Sequence, residues 1–316
     1  MHKPSWFKPG LVAVSNAATC GINKDGQELY LVDAATGKRT SVIDDALERD
    51  VRALLGNEPA DSLVWVDAHD VKSTGVAVPA YYDERTLDDY RVERTRKWPA
   101  YKDVSIGDLI ESGELIVRGG HGSPSADVRT GTVPYIKVSD LRAGQVNINP
   151  TNRVSEVVAR RHWKGAESGL EPFDLITPAR TSKNIGDLAV LMPGQEQVVL
   201  TKEVLVLRPG PRADFDSFYL LWAMSLRIVR EQWRRIVFMQ TNREDTGNRY
   251  REIVIPLGPT RAERDAVSAP FRDYYQGMAS LREGFRDFLD SDPDHHVFLG
   301  TVAPEDFLAD ADAEEA

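Results

Sequence analysis

Three short stretches of this sequence gather side chains that give or take hydrogen bonds. Lys137, Ser139, Asp140 and Arg142 follow a β-branched run. Arg180, Thr181, Ser182, Lys183 and Asn184 form an unbroken polar loop. Gln240, Asn242, Arg243, Asn248 and Arg249 lie in a Gly- and Asn-containing segment. Arginine and lysine suit phosphate oxygens, while polar loop side chains suit base edges in a groove. Each stretch also reads as a solvated turn, and sequence does not separate phosphate contact from base contact.

Other chemistries are harder to place. His295 and His296 lie near Asp292 and Asp294, but adjacent histidines cannot both face one ion from a regular helix. His69 with Asp67 and Asp70 lacks a third convergent ligand. A metal-dependent nuclease needs clustered carboxylates with a lysine, of the (D/E)-x-K type. Glu93 to Lys97 has the wrong spacing, and Asp187 has no lysine two residues on. Spacing identifies no Ser/His/Asp set.

The totals bound the class. At 316 residues the chain is long enough for a sizeable core and one to three domains, and 41% hydrophobic residues is ordinary for a globular protein. No stretch has the ~18 uninterrupted apolar residues of a membrane span. The N-terminus lacks a signal-peptide core, and Cys20 is alone, so a cytoplasmic location is the default expectation. The net charge of −10 argues against nucleic acid, but its distribution does not. Residues 115–258 hold 20 Lys+Arg and 15 Asp+Glu, or +5, leaving 19 against 34, or −15, elsewhere.

The elements that must position these groups follow from pattern. Residues 132–138 have strand composition, with Pro134 near the start where a missing N–H is tolerated. Ser139-Asp140-Leu141 turns, and 145–148 is a second extended run, a hairpin-like arrangement. Ser105 caps a short helix that Gly113 ends, and 114–118 is a strand. Ser155 caps a helix through His162, with Trp163 packed behind it. Residues 216–238 read as one helix, with Phe218, Leu221, Trp222, Ile228, Val229 and Trp233 at helical spacing. Its arginines, 227, 230, 234 and 235, fall on other faces, as a solvated or a phosphate-tracking surface. A second long helix spans about 260–289, with a kink or break expected at Pro270. The charged run 91–97 reads as a solvated face.

The run Gly131-x-x-Pro134-Tyr135-Ile136-x-Val138-Ser139-Asp140-Leu141 resembles the opening of a target-recognition domain in type I restriction-modification specificity subunits. The likeness continues in order. Asp174-Leu175-Ile176 through Arg180 to Ile185-Gly186 is similar to that family's "gDil.sr.g.iG". A strand at 204–208, a helix opening at Asp216, and Ile253-Val254-Ile255-Pro256-Leu257, like "i.iPlp", complete it. Earlier, Lys24-Asp25-Gly26-x-x-Leu29-Tyr30 reads as a hairpin. It also resembles the "GH(D/N)kkGkpLY" segment near the C-terminal end of type I-style adenine-N6 DNA methyltransferases, from which Cys20 and Ile22 depart.

The resemblance implies an α+β fold: a mixed-sheet target-recognition domain at 99–258, preceded by a small α+β lead-in at 1–98. A helical docking segment at 259–292 and an acidic disordered tail at 293–316 would follow. It implies a non-catalytic subunit that binds double-stranded DNA through the three polar stretches. This subunit would belong to a restriction-modification or related anti-phage DNA methylation system. Its partner would be an adenine-N6 methyltransferase subunit carrying S-adenosylmethionine, with no cofactor in this chain. A second copy, or a nuclease/translocase subunit, would be a further partner. Phe271, Tyr274, Leu281 and Phe285 are the expected docking side chains, buried against another helix here or in a partner. Two features depart from the family: one recognition domain rather than two, and a short docking helix. The (N/D)-P-P-(Y/F) motif of amino-methyltransferases has no counterpart; Asn149-Pro150-Thr151 and Ser123-Pro124-Ser125 lack its second proline and aromatic. The glycine-rich run at 118–122 does not open a nucleotide-binding helix. The alternative is the C-terminal recognition portion of a split or truncated methyltransferase.

Overall fold

This computed structural model describes residues 3–302 except 24, 181, 241, 242 and 293; for 127, 239, 240, 243 and 244 it describes the backbone alone. Thr181, Asn242, Lys24 and the acidic end of the tail therefore lie outside the described residues. The chain divides into two compact units after Asp88.

In the first unit, β1 (Leu11–Ser15), β2 (Tyr30–Val32), β3 (Arg39–Ile43), α1 (Ala46–Gly56), β4 (Leu63–Asp67) and α2 (Ala68–Thr74) follow in order. β1 pairs antiparallel with β4, and β2 with β3. The 21–29 turn is the expected hairpin: Ile22 bridges Glu28, and Asn23 Oδ1 accepts from the amides of Asp25 and Gln27 at 2.9 Å each. Asp45 caps α1, and the buried Asp50 carboxylate accepts from Ser15 Oγ (2.5 Å) and Ser62 Oγ (2.6 Å). Buried carboxylates need such donors.

α3 (Arg85–Lys97) crosses the division, and the second unit continues with β5 (Lys102–Ser105), α4 (Ile106–Ser112), β6 (Leu115–Gly119), β7 (Val133–Ile136), β8 (Leu141–Arg142), β9 (Gln145–Val146), β10 (Arg153–Val154) and α5 (Glu156–Trp163). β11 (Leu175–Pro178), β12 (Ala189–Val190), β13 (Val199–Leu200) and β14 (Val204–Pro209) come next. α6 (Ser217–Ser225), α7 (Arg227–Arg230), α8 (Trp233–Ile236), β15 (Phe238–Gln240), β16 (Arg243–Asp245), β17 (Val254–Leu257) and α9 (Arg261–Ser291) complete it. The mixed α+β architecture matches expectation. The boundary between the units falls within α3, whose later residues join the larger core through Tyr90 and pair Arg94 with Asp103 at 2.8 Å.

The centre is a six-stranded mixed sheet, β6-β14-β11-β12-β9-β8, antiparallel except at β12–β9. Its inner strands alternate strictly. Leu175, Val190 and Leu207 enter a core shared with α4, α6 and α9. Ile176, Ala189 and Val206 enter a second core on the other face with Ile136, Leu141 and Leu200. Successive strand residues point to opposite faces, so this sheet is buried on both, and a one-residue slip would exchange the two cores. A three-stranded sheet, β10-β7-β13, lies beside the second core.

Three expectations change. The hairpin is not 132–138 against 145–148. β7 belongs to the three-stranded sheet, and a 3-10 turn at Val138–Asp140 carries the chain to the six-stranded one, where β8 pairs with β9. The 216–238 helix is broken. Phe218 through Met224 are all buried, so α6 is apolar on every side, and Leu226 leaves helical geometry (ψ 132°) before the arginines arrive. Last, α9 runs through Pro270 without the break that was one of the two outcomes expected there, and it packs on α6 within the second unit. Residues 297–302, counted with the tail by composition, also dock. Phe298 and Val302 pack on the second core, and Val302 donates to the Gly194 carbonyl at 3.0 Å.

His121 ties three segments together. Its Nδ1 accepts from the Leu200 amide (2.9 Å), which leaves Nε2 to donate to the Ser168 carbonyl (3.0 Å). Burial pushes this imidazole down to about 4, with the charges of Arg118 and His162 adding to the fall. A group whose folded pKa is depressed below 6.5 costs stability as pH drops, because the unfolded chain takes the proton first. Its contribution is complete above about pH 6.5 and is lost between there and pH 4. Wild type should lose about 2 kcal/mol from this group between pH 7 and pH 5, and His121→Gln should flatten the profile by that amount. Urea unfolding at the two pH values measures it; parallel profiles would place the titration elsewhere.

Candidate nucleic-acid interface

The first polar stretch is split by its own turn. The Lys137 amide donates to Asp140 Oδ2 at 2.7 Å, and Ser139 Oγ donates to Oδ1 at 3.3 Å, so the Asp140 carboxylate closes the 3-10 turn. Arg142 opens the two-residue β8–β9 turn, in which Ala143 (φ 52°) and Gly144 (φ 73°) are both left-handed. Such turns match the twist of the flanking strands. Arg142 is exposed, and among the described residues neither it nor Lys137 has a carboxylate partner.

The second stretch is clamped at both ends. Arg180 bridges Asp245, with Nη2 to Oδ2 at 3.2 Å, and the Thr246 amide donates to the Ala179 carbonyl at 3.1 Å. Ser182 Oγ accepts from the Asn184 amide at 3.0 Å. Gly186 (φ 83°) lies flat against the Trp233 ring; a Cβ there would stand 2.5 Å from the indole. Arg230 donates to the Ile185 carbonyl at 3.2 Å and pairs with Asp187 at 2.5 Å. Lys183 stays exposed, without an ion pair among the described residues.

In the third stretch the structure describes the side chains of Asn248 and Arg249, and Arg249 is structural. Gln240 faces Arg243 at the end of the β15–β16 ladder, where only their backbones are described. Arg249 Nε donates to the Ile236 carbonyl (3.1 Å), Nη2 to the Asp245 carbonyl (3.0 Å), and its guanidinium lies 3.8 Å from the Phe238 ring centre. That position ties down the hairpin rather than projecting outward. Asn248 is exposed beside it.

Packing joins the stretches. A cleft of 390 Å³ between the 142–144 turn and the 184–189 loop is lined by Arg142, Gly144, Asn184 and Asp187. A second, of 420 Å³, sets Ser182 and Lys183 opposite Arg230, Trp233 and Arg234. The Arg180–Asp245 bridge connects the loop to the third stretch. The contiguous surface therefore presents Arg142 and Lys183 as uncommitted cations, with Arg180, Arg230 and Arg249 holding the loops. Asp174 of the family-like run is likewise structural: buried, it accepts from Arg208 Nε at 2.6 Å. Among the described residues no three side chains of metal-binding type converge, and no helix is long and apolar enough to cross a membrane.

The expected docking side chains divide between the core and the surface. Phe271 packs on the main core, but Tyr274, Leu281 and Phe285 are 57%, 77% and 44% exposed, unburied by any helix among the described residues. The helix turns Tyr275, not Tyr274, inward. Phe271, Tyr274, Met278, Leu281, Phe285 and Phe288 recur at alternating steps of three and four, the spacing of a helix–helix seam.

No family model and no curated protein matches this chain. Solved structures do. A type I restriction-modification S subunit from M. genitalium is similar at 15% identity and TM-score 0.38, over 60% of this chain and 44% of that one. The HsdS subunit from Thermoanaerobacter tengcongensis is similar at 12% identity and TM-score 0.36, over 90% and 64%. The type IIG restriction endonuclease BpuSI is similar at 8% identity and TM-score 0.41, over 71% and 33%. The chain thus spans less than two thirds of each.

Gly186→Ala should cost about 2–3 kcal/mol, since it combines a strained φ with an overlap on Trp233 and Arg230. Denaturant unfolding reads this directly. A loss below 0.5 kcal/mol would mean the loop shifts freely and is not fixed by the indole.

Proposed function

We propose that this chain is a non-catalytic, sequence-specific DNA-recognition component of a restriction-modification or related anti-phage methylation system. In this reading it directs a partner adenine-N6 methyltransferase, which carries S-adenosylmethionine, to its target. The observation that carries the reading is the joining of three donor-bearing loops into one braced surface, with Arg142 and Lys183 unpaired among the described residues. Phosphate contacts fix position and base contacts give sequence, and the two cations suit these separate tasks. Lys183, on a flexible stem at a loop tip, takes a phosphate. Arg142, fixed on a two-residue turn, takes a guanine edge, where a planar fork is required.

Binding in rising salt, on matched and mismatched duplexes with the partner present, tests the assignment. Lys183→Ala should weaken binding to all duplexes and flatten the log–log salt slope by about one unit. Arg142→Ala should cost about 1–3 kcal/mol on the preferred sequence and relax one base position. Unchanged affinity and slope in both variants would reduce the surface to solvated turns.

The α9 seam is the proposed docking face for the methyltransferase subunit. Leu281 and Phe285 are exposed, so Leu281→Asp with Phe285→Asp should leave unfolding within about 0.5 kcal/mol of wild type. The same change should abolish co-elution with the partner, because it would bury unpaired charge at the contact. Normal assembly of the double variant would move the docking site elsewhere.

The first unit favours a second reading, as part of a split DNA adenine methyltransferase. Ala53 is its one buried apolar side chain among the described residues, while Leu31, Val32, Val42, Ile43, Val51 and Leu55 are exposed. A unit so open is suited to completion by another folded body.

A further inference from the structure

We propose that Tyr275 and Arg282 of α9 are positioning residues that hold the 142–145 turn in the geometry from which Arg142 reads DNA. The proposal rests on the DNA-recognition reading above.

The turn has little stability of its own. β8 and β9 are two residues each, and the left-handed positions are filled by Ala143 and Gly144 instead of the favoured Asn-Gly. A non-glycine residue at φ 52° is uphill unless its surroundings enforce it. Two bonds from α9 do so. Tyr275 Oη donates to the Gly144 carbonyl at 2.9 Å, an oxygen that also accepts from the Val190 amide at 3.0 Å. Arg282 Nη2 donates to Gln145 Oε1 at 2.8 Å, and Gln145 is the register partner of Arg142. The two anchors thus fall on the residues that follow Arg142 around the turn.

Neither side chain is what packing alone would select. Tyr275 lies in the main core, where phenylalanine would fill the same space, and its hydroxyl reaches only the turn. Arg282 has no carboxylate partner among the described residues, and its Nη1 is buried without a hydrogen bond. A guanidinium kept in that setting costs stability. The fit at Gly144 is close as well, since a Cβ there would come 2.6 Å from Tyr275 Oη.

The test uses the full chain, assembled with its methyltransferase subunit where one co-purifies, as wild type, Tyr275→Phe, Arg282→Met and Arg142→Ala. Two readouts are needed: amide hydrogen exchange at 142–146 and Val190, and selection of bound sequences from a randomised duplex pool. Tyr275→Phe keeps the ring, so the thermal midpoint should stay within about 2 °C while turn amides exchange about 3- to 10-fold faster. Both α9 variants should relax selection about 5- to 10-fold at the base positions that Arg142→Ala relaxes. Affinity for random duplex should hold within about twofold, because phosphate contacts are untouched. Unchanged exchange in both variants overturns the brace. Faster exchange with the wild-type preference retained overturns the role in reading and leaves a structural contact. A wild-type assembly that selects no sequence overturns the DNA reading itself, and the exchange data tell that failure from the others.

Discussion

The candidate surface depends on a glycine pressed against an indole. Gly186 has a left-handed backbone and no room for a side chain, so the chain at this point lies directly on Trp233. From that contact the rest follows. Arg230 can reach both the Ile185 carbonyl and Asp187, and Arg180 is delivered to Asp245. Lys183 is left exposed, without an ion pair among the described residues. The backbone, not a side chain, makes the close approach.

Charge on this surface is sorted by burial and partnering. Arg180, Arg230 and Arg249 are held by carboxylates or carbonyls and act as struts. Arg142 and Lys183, next to them, are not. A strut arginine adds positive potential nearby but has already oriented its donors, so only the free cations can reorient toward a phosphate or a base. The overall negative charge is little obstacle. Exposed acidic groups more than about 10 Å away are screened at ordinary ionic strength, and much of the acidic excess lies outside residues 115–258.

The long helix serves two surfaces at once. One side packs on α6 and reaches the β8–β9 turn through Tyr275 and Arg282, while Tyr274, Leu281 and Phe285 remain on the other. Tyr274 meets Tyr275 edge-on at 5.0 Å, so the exposed seam and the turn are separated by two rings. Docking of residues 297–302 fixes the far end of the helix, with Arg286 bonded to Thr301 and Gln195 Nε2 donating to the Gly300 carbonyl at 2.6 Å. A helix held in this way behaves as part of the domain and not as an independent arm.

Local chemistry was legible in the sequence. Ser105 and Ser155 cap helices, and Gly113 ends one, because a cap needs only its own residue and the next three. The mixed α+β class, the polar loops and the apolar stripe of α9 were equally readable. Sheet membership was not. The 131–148 stretch looks like one hairpin, yet its strands enter different sheets, since pairing partners such as β13 and β12 lie about fifty residues away. The 216–238 helix looked continuous because periodicity does not register that seven successive residues are enclosed. Which arginines are struts and which are free was likewise settled only by tertiary packing. Arg180 and Lys183 are near-equivalent in sequence, and the difference between them is that folding brings Asp245 to one and, among the described residues, no carboxylate to the other.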